Sequence, residues 1–215
     1  MHDNDDPSGN DVVGDFDLGG FDLSSIDATS IGAIGVQIER LANTVTGHGH
    51  LSGKTFWAAY HQVDYDTVPP NKFGEVWKKV GGNVGDNFHN QPDTCATRVS
   101  WGLNYGGSPI PKGTPGAWRN YKNKSYAGKK GDDNYYIVNA GQMNAYLTSK
   151  WGTPDYPQVG TVPQLTSIIT GLQQGQCAIF ATRLSPGHSG VLKKGYQDPY
   201  VEGELPLDVW LLLIP

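Results

Sequence analysis

The chain has 215 residues, 29 of them glycine and 14 proline, with a hydrophobic fraction of 37%. That suffices for one domain of ordinary size with a tail, but not for two large domains. A formal net charge of -5 argues against a nucleic-acid footprint, and no apolar run approaches the length that spans a membrane, residues 209–214 being far too short.

Residues 1–28 are acidic and glycine-rich. Asp3, Asp5, Asp6, Asp11, Asp15, Asp17, Asp22 and Asp27 all precede the first basic residue, Arg40. Such a composition cannot bury enough apolar surface to offset its ordering entropy, so a disordered tail is expected. It carries a short duplication, Phe16-Asp17-Leu18 and Phe21-Asp22-Leu23. The N-terminus lacks a basic n-region followed by an apolar h-region, so export without a Sec-type signal is expected.

Within residues 29–50, Ile31, Ile34, Ile38, Leu41 and Val45 recur at spacings of three and four, predicting an amphipathic helix that ends at Gly47. His48 and His50 lack neighbouring Cys, Asp or Glu at ligand spacing and read as a loop rather than a metal site. The remaining residues, 51–215, form the expected domain. In it Phe73, Val76, Trp77 and Val80 predict a short helix after the Pro69-Pro70-Asn71 stop, and Gly81, Gly82 and Gly85 predict a loop.

That loop leads to Asn90-Gln-Pro-Asp-Thr-Cys95. Pro92, Asp93 and Thr94 stop and cap; Ala96, Val99 and Leu103 then follow helical spacing, and Gly106-Gly107 closes the helix. Cys95 thus falls in the first turn. The positive end of the helix dipole favours a thiolate there and can bring a thiol down from about 8.5. The free N–H groups of that turn can also hold an oxyanion. Cys95 is therefore the candidate nucleophile. Arg98, one turn on, is expected in a structural salt bridge.

Residues 106–133 read as a long loop rich in Gly, Pro, Lys and Tyr. Tyr135 to Val138 predicts a strand, and Asn139-Ala-Gly-Gln142 a capping box opening a helix with Met143, Tyr146, Leu147 and Trp151. Leu165, Ile168, Ile169 and Leu172 predict another helix. The period then changes: strands are expected at 177–182, 189–193 and 207–214. Helices followed by consecutive strands indicate an α+β domain with an antiparallel sheet.

A cysteine nucleophile needs a base and a group that orients the base. His188, in Ser185-Pro-Gly-His-Ser-Gly190, lies after a turn at the start of a strand and is the candidate base. Asp198, in Tyr196-Gln-Asp-Pro-Tyr200, is the candidate orienting acceptor, with Glu202, Glu204 and Asp208 as competitors. Cys95 and Cys177 allow either one disulfide or two free thiols.

Phe73-Gly-Glu-Val-Trp77-Lys-Lys and Cys95-Ala-Thr-Arg98-Val-Ser100-Trp-Gly-Leu103-Asn104 resemble the fourth family of type VI secretion amidase effectors. Tyr136-Ile-Val-Asn, Trp151-Gly-Thr-Pro154 and Gly187-His188-Ser189-Gly190 follow in that family's order. The resemblance covers about residues 70–215. It implies a papain-like, NlpC/P60-related cysteine hydrolase that cleaves the D-glutamyl–meso-diaminopimelate amide of peptidoglycan stem peptides through a thioester. By position, Cys95 would be the nucleophile and His188 the base. No metal or organic cofactor is implied. Implied partners are peptidoglycan, a cognate immunity protein and a tube or spike protein of the secretion apparatus, with delivery to the periplasm of a target bacterium. The alternatives are another papain-like amidase or acyltransferase, and a non-catalytic, disulfide-bonded cell-wall-binding module.

Overall fold

A computed structural model describes residues 51–184 and 187–213. The acidic tail and the helix expected over 29–50 lie outside the described residues. Helices α1 (Gly53–Tyr60), α2 (Phe73–Val80), α3 (Gly82–Phe88) and α4 (Cys95–Gly106) come first. Short strands β1 (Ala117–Arg119), β2 (Ser125–Tyr126), β3 (Lys129–Lys130) and β4 (Tyr135–Ile137) follow, then α5 (Ala140–Trp151), β5 (Tyr156–Val159) and α6 (Val162–Gly171). The chain closes with β6 (Cys177–Ala181), β7 (Ser189–Lys193), β8 (Tyr196–Gln197) and β9 (Leu207–Leu211).

The principal sheet has the order β5-β9-β6-β7-β8, and every neighbouring pair in it is antiparallel. Both faces are covered, which is why β6, Cys-Ala-Ile-Phe-Ala, is apolar and buried at every position rather than alternating. On one face Cys177, Ile179, Ala181, Val191 and Trp210 join Phe56 and Tyr60 of α1, Ala96, Val99 and Leu103 of α4, and Met143 and Leu147 of α5. On the other, Ala178, Phe180, Leu192 and Val209 pack with Leu165, Ile168 and Leu172 at α6. The fold is α+β, as expected.

Helix α4 is drawn tightly onto α1. A Cβ at Gly102 would stand 2.6 Å from Phe56 Cε2, and one at Gly106 would stand 2.7 Å from Phe56 Cα. These glycines, four apart, share one face of α4 and let the Phe56 ring and backbone approach it. The helix ends where Gly107 takes a left-handed conformation, φ 104°, with its N–H bonded to the Leu103 carbonyl.

Several elements depart from the sequence reading, among them the short strands β1, β2 and β3 inside the segment read as a loop, and β8. The Gly81–Gly85 stretch is not a loop: after Gly81 redirects the chain (φ 66°), Gly82–Phe88 coils into α3, whose Val84 N–H reaches Asn120 Oδ1 at 3.3 Å. Tertiary anchoring overrides poor helix propensity there. Strand β5 was not expected, because Tyr-Pro-Gln-Val does not alternate and pairs irregularly along the β9 edge. Helix α1 also went unassigned; Ser52 and Gly53 tie its start to Leu213 across the chain, a link no local pattern encodes.

The long 106–133 segment is organised by Asp132. Its Oδ2 accepts hydrogen bonds from Tyr105 Oη (2.6 Å), Tyr136 Oη (2.6 Å) and Asn134 Nδ2 (3.0 Å), while Oδ1 accepts from Asn120 Nδ2 and Asn134 N, both at 3.1 Å. Tyr136 and Asn120 are fully buried. Asp132→Ala leaves the Tyr136 hydroxyl without its acceptor and Asn120 Nδ2 with the Val80 carbonyl, and is expected to cost about 3 kcal/mol, which thermal melts of the two proteins check.

Candidate active site

The side chain of Thr94, at the start of α4, does not cap the helix; its hydroxyl instead accepts from Arg98 Nε at 2.8 Å. The first bond of the helical ladder is from Arg98 N to Thr94 O (2.9 Å), so the N–H groups of Cys95, Ala96 and Thr97 precede it. Arg98 is fully buried. Its Nη1 donates to the carbonyls of Val63 and Val68, and its guanidinium lies 4.0 Å from the centroid of the Tyr65 ring. Among the described residues these partners are carbonyls, a hydroxyl and a ring rather than a carboxylate, which corrects the expected salt bridge. Arg98 fastens the first turn of α4 to the segment after α1.

His188 arrives from the β6–β7 connection. Its N–H donates to Thr182 Oγ1 (3.0 Å), and its carbonyl accepts from Thr182 N (2.9 Å), so one threonine holds the main chain of His188 twice. The ring Nε2 lies 2.7 Å from Asp198 Oδ1, which also accepts from Tyr200 N at 3.0 Å. With Nε2 committed, Nδ1 is the ring nitrogen left for the sulfur of Cys95, with which the imidazole also interacts. Cys95 Sγ lies 4.0 Å from the Gly187 carbonyl oxygen, beside the histidine.

Both members of the His188–Asp198 pair are buried. Desolvation pulls His188 toward the neutral form. The hydrogen bonds and charges of Asp198 and Cys95 outweigh it and raise the imidazole from 6.5 to about 10. The His188 imidazole therefore carries its second proton at neutral pH. Because the folded value lies above the unfolded one, its contribution to stability is full below about 6.5 and is lost as the pH rises through about 10.

Two cavities meet at Cys95. One, about 310 Å³, is lined by Tyr65, Pro70, Thr94, Cys95, His188, Tyr200 and Glu204, among others. The other, about 240 Å³, carries Trp77, Phe88, Gln91, Val138 and Ala140. Asp93, Cys95 and Gly187 border both, so the sulfur sits at the waist of a groove. A larger cavity of about 400 Å³ between the Pro111–Gly116 loop and α5 contains neither cysteine nor histidine.

The structure thus brings Cys95, His188 and Asp198 together and separates the competitors. Glu202 bonds to Gln197 on the surface. Asp208 is buried but held by Arg183 (2.6 Å), Asn144 and the Gln158 N–H. These bonds more than offset its burial and keep its carboxyl below the usual range. Glu204 lines the groove, while the carboxylate bonded to the imidazole is that of Asp198. Cys95 and Cys177 are both free thiols. Cys177 lies in β6, where burial pushes it up to about 12, an inert core position. Tyr65, Tyr200 and Thr182 belong to the site but were given no role from sequence; Tyr200 stood two residues from Asp198, whereas nothing in the local sequence marks Tyr65.

Comparison with known proteins gives this arrangement a place. The chain shares 25% identity with the effector of a type VI effector–immunity complex, Tae4–Tai4, from Salmonella Typhimurium, at a TM-score of 0.51, covering 77% of this chain and 99% of that one. It also resembles the type VI effector Tae4 from Enterobacter cloacae (19% identity, TM-score 0.52, covering 79% and 99%), a likeness of fold. No curated protein matches. Residues 91–180, which hold Cys95 and the whole of α4, match the family described as type VI secretion system amidase effector protein 4 (Tae4).

Proposed function

We propose that this chain is an antibacterial amidase effector, a cysteine endopeptidase of papain-like type. In this reading it is delivered into the periplasm of a rival bacterium and hydrolyses the D-glutamyl–meso-diaminopimelate amide of peptidoglycan stem peptides. The observation that carries the reading is the meeting of Cys95, at the first turn of α4, with a His188 whose far nitrogen is bonded to Asp198 at 2.7 Å.

The chemistry follows from the parts. Cys95 Sγ, paired with the imidazolium, attacks the scissile carbonyl. The developing oxyanion meets N–H groups at the start of α4. As the tetrahedral intermediate collapses, His188 gives its proton to the departing amine and the acyl half remains on sulfur as a thioester. Neutral His188 then takes a proton from water, the hydroxide attacks the thioester, and the carboxylate leaves as the thiolate re-forms. Asp198 holds the ring throughout and balances its positive charge. The departing nitrogen must lie beside His188, so the amine half occupies the Tyr65–Tyr200–Glu204 cavity and the acyl half the Trp77–Phe88–Val138 cavity. The Glu204 carboxylate suits an amine half that carries an ammonium group.

Since the proton donor is an imidazolium raised to about 10, activity is expected to hold through neutral pH and fall on an alkaline limb near pH 10. Initial rates of amine release between pH 6 and 11 check this. The solved relatives include effector–immunity complexes, which supports a cognate immunity protein for this chain also. Mass spectrometry of muropeptides after digestion tests activity and bond together. A new amine on diaminopimelate and a free D-glutamyl carboxyl is the expected product; intact stem peptides would overturn the reading.

A further inference from the structure

Asp198 Oδ1 accepts two hydrogen bonds, whereas Oδ2 is buried with no hydrogen-bond partner among the described residues. What occupies the space beside Oδ2 is the bare Cα of Gly190. A Cβ built there would lie 2.3 Å from Oδ2, 2.8 Å from Phe180 Cζ and 3.0 Å from Phe180 Cε1. Gly190 sits within the β6–β7 ladder, one pair from its end, directly opposite Phe180 and two residues after His188. It has no positive φ, so neither a turn nor backbone strain calls for glycine. The requirement is one of space. Any side chain would drive into a carboxylate oxygen on one side and an aromatic edge on the other, and both neighbours touch the imidazole, Asp198 through its 2.7 Å bond and Phe180 with ring centroids 5.5 Å apart.

We propose that Gly190 is a positioning residue of this site: its missing side chain is the slot in which Asp198 sits, and the slot sets the grip of Asp198 on His188. Thr182 fixes the main chain of His188 and Gly190 fixes where its acceptor stands, so the two ends of the pair are located by opposite sides of one hairpin. The proposal rests on the reading of His188 and Asp198 as base and orienting acceptor.

The test is titration of the His188 imidazole by NMR in Gly190→Ala, with amine release measured alongside. A displaced carboxylate releases the ring, so the midpoint is expected to fall from about 10 toward the ordinary histidine value, and the alkaline limb of the activity to move with it. A folded Gly190→Ala protein with an unchanged His188 midpoint overturns the proposal. If Gly190→Ala does not fold, the double variant Gly190→Ala/Asp198→Ala keeps the Phe180 contact and removes the carboxylate. Recovery of a folded protein supports the slot, and failure to recover it places the obstacle elsewhere and overturns it. The titration reads the geometry without amidase activity. An inactive wild-type protein whose His188 midpoint still falls in Gly190→Ala therefore contradicts the proposed function and leaves the positioning role standing.

Discussion

Replacing Cys95 by alanine is expected to leave a folded protein that no longer cleaves muropeptides. Cys95 is 7% exposed, at the end of a helix whose hold on the core comes from Ala96, Val99 and Leu103 and from the Phe56 contact at Gly102 and Gly106. Losing one sulfur from the groove wall is expected to cost no more than about 1 kcal/mol. The thioester route, by contrast, loses the atom on which the acyl group is carried, and the rate is expected to fall on the order of 10⁶-fold. Circular dichroism and thermal melts establish the fold, and chromatography of digested sacculi the activity. Cleavage by Cys95→Ala at a wild-type rate would remove the nucleophile from the account.

The second large effect is expected from Asp198→Asn. The carboxylate accepts from Nε2 and leaves Nδ1 for the sulfur; a neutral amide can instead turn its NH₂ toward Nε2 and reverse the tautomer. It also removes the charge that, against the pull of desolvation, raises His188 to about 10. A loss on the order of 10⁴-fold is expected, with the remaining activity showing its alkaline limb shifted toward neutrality. Asp208→Asn, which alters a carboxylate bound to Arg183 and Asn144, is the contrast. It is expected to lower stability while leaving the pH profile in place, so steady-state rates across pH distinguish an orienting group from a structural one.

The helix carrying the nucleophile was legible because its signals are local: a stop at Pro92, apolar positions three and four apart, and a glycine pair at the end. The three strands β6, β7 and β9 were legible because both faces of the sheet are buried, which makes each a short apolar run. Their exact ends were not, since β9 stops at Leu211 where the chain turns to pair with Ser52. Helix α3 was missed because Gly82 and Gly85 argue against a helix in isolation; there Gly85 lies against the Trp77 carbonyl, and Asn120 binds Val84. In the site, Cys95 and His188 stand beside turn and cap signals that sequence displays. The contact of Asp198 with His188 depends on a two-residue strand, β8, paired to β7, and Tyr65 is held at the groove by tertiary contacts with Arg98, Tyr200 and His188. Gly190 was legible as the end of the Gly187–Gly190 motif, but not the close approach of Asp198 and Phe180 to its Cα.

The central claim is that the amide is broken at the first turn of α4, between the sulfur and the imidazole. The most direct measurement is a crystal structure of the Cys95→Ala protein bound to a stem peptide containing the D-glutamyl–diaminopimelate bond. The account predicts the scissile carbonyl beside residue 95, its oxygen toward the N–H groups at the start of α4 and its nitrogen on the His188 side. A peptide bound with that amide remote from residue 95, or reversed so that its nitrogen faces Trp77 and Phe88, would contradict it.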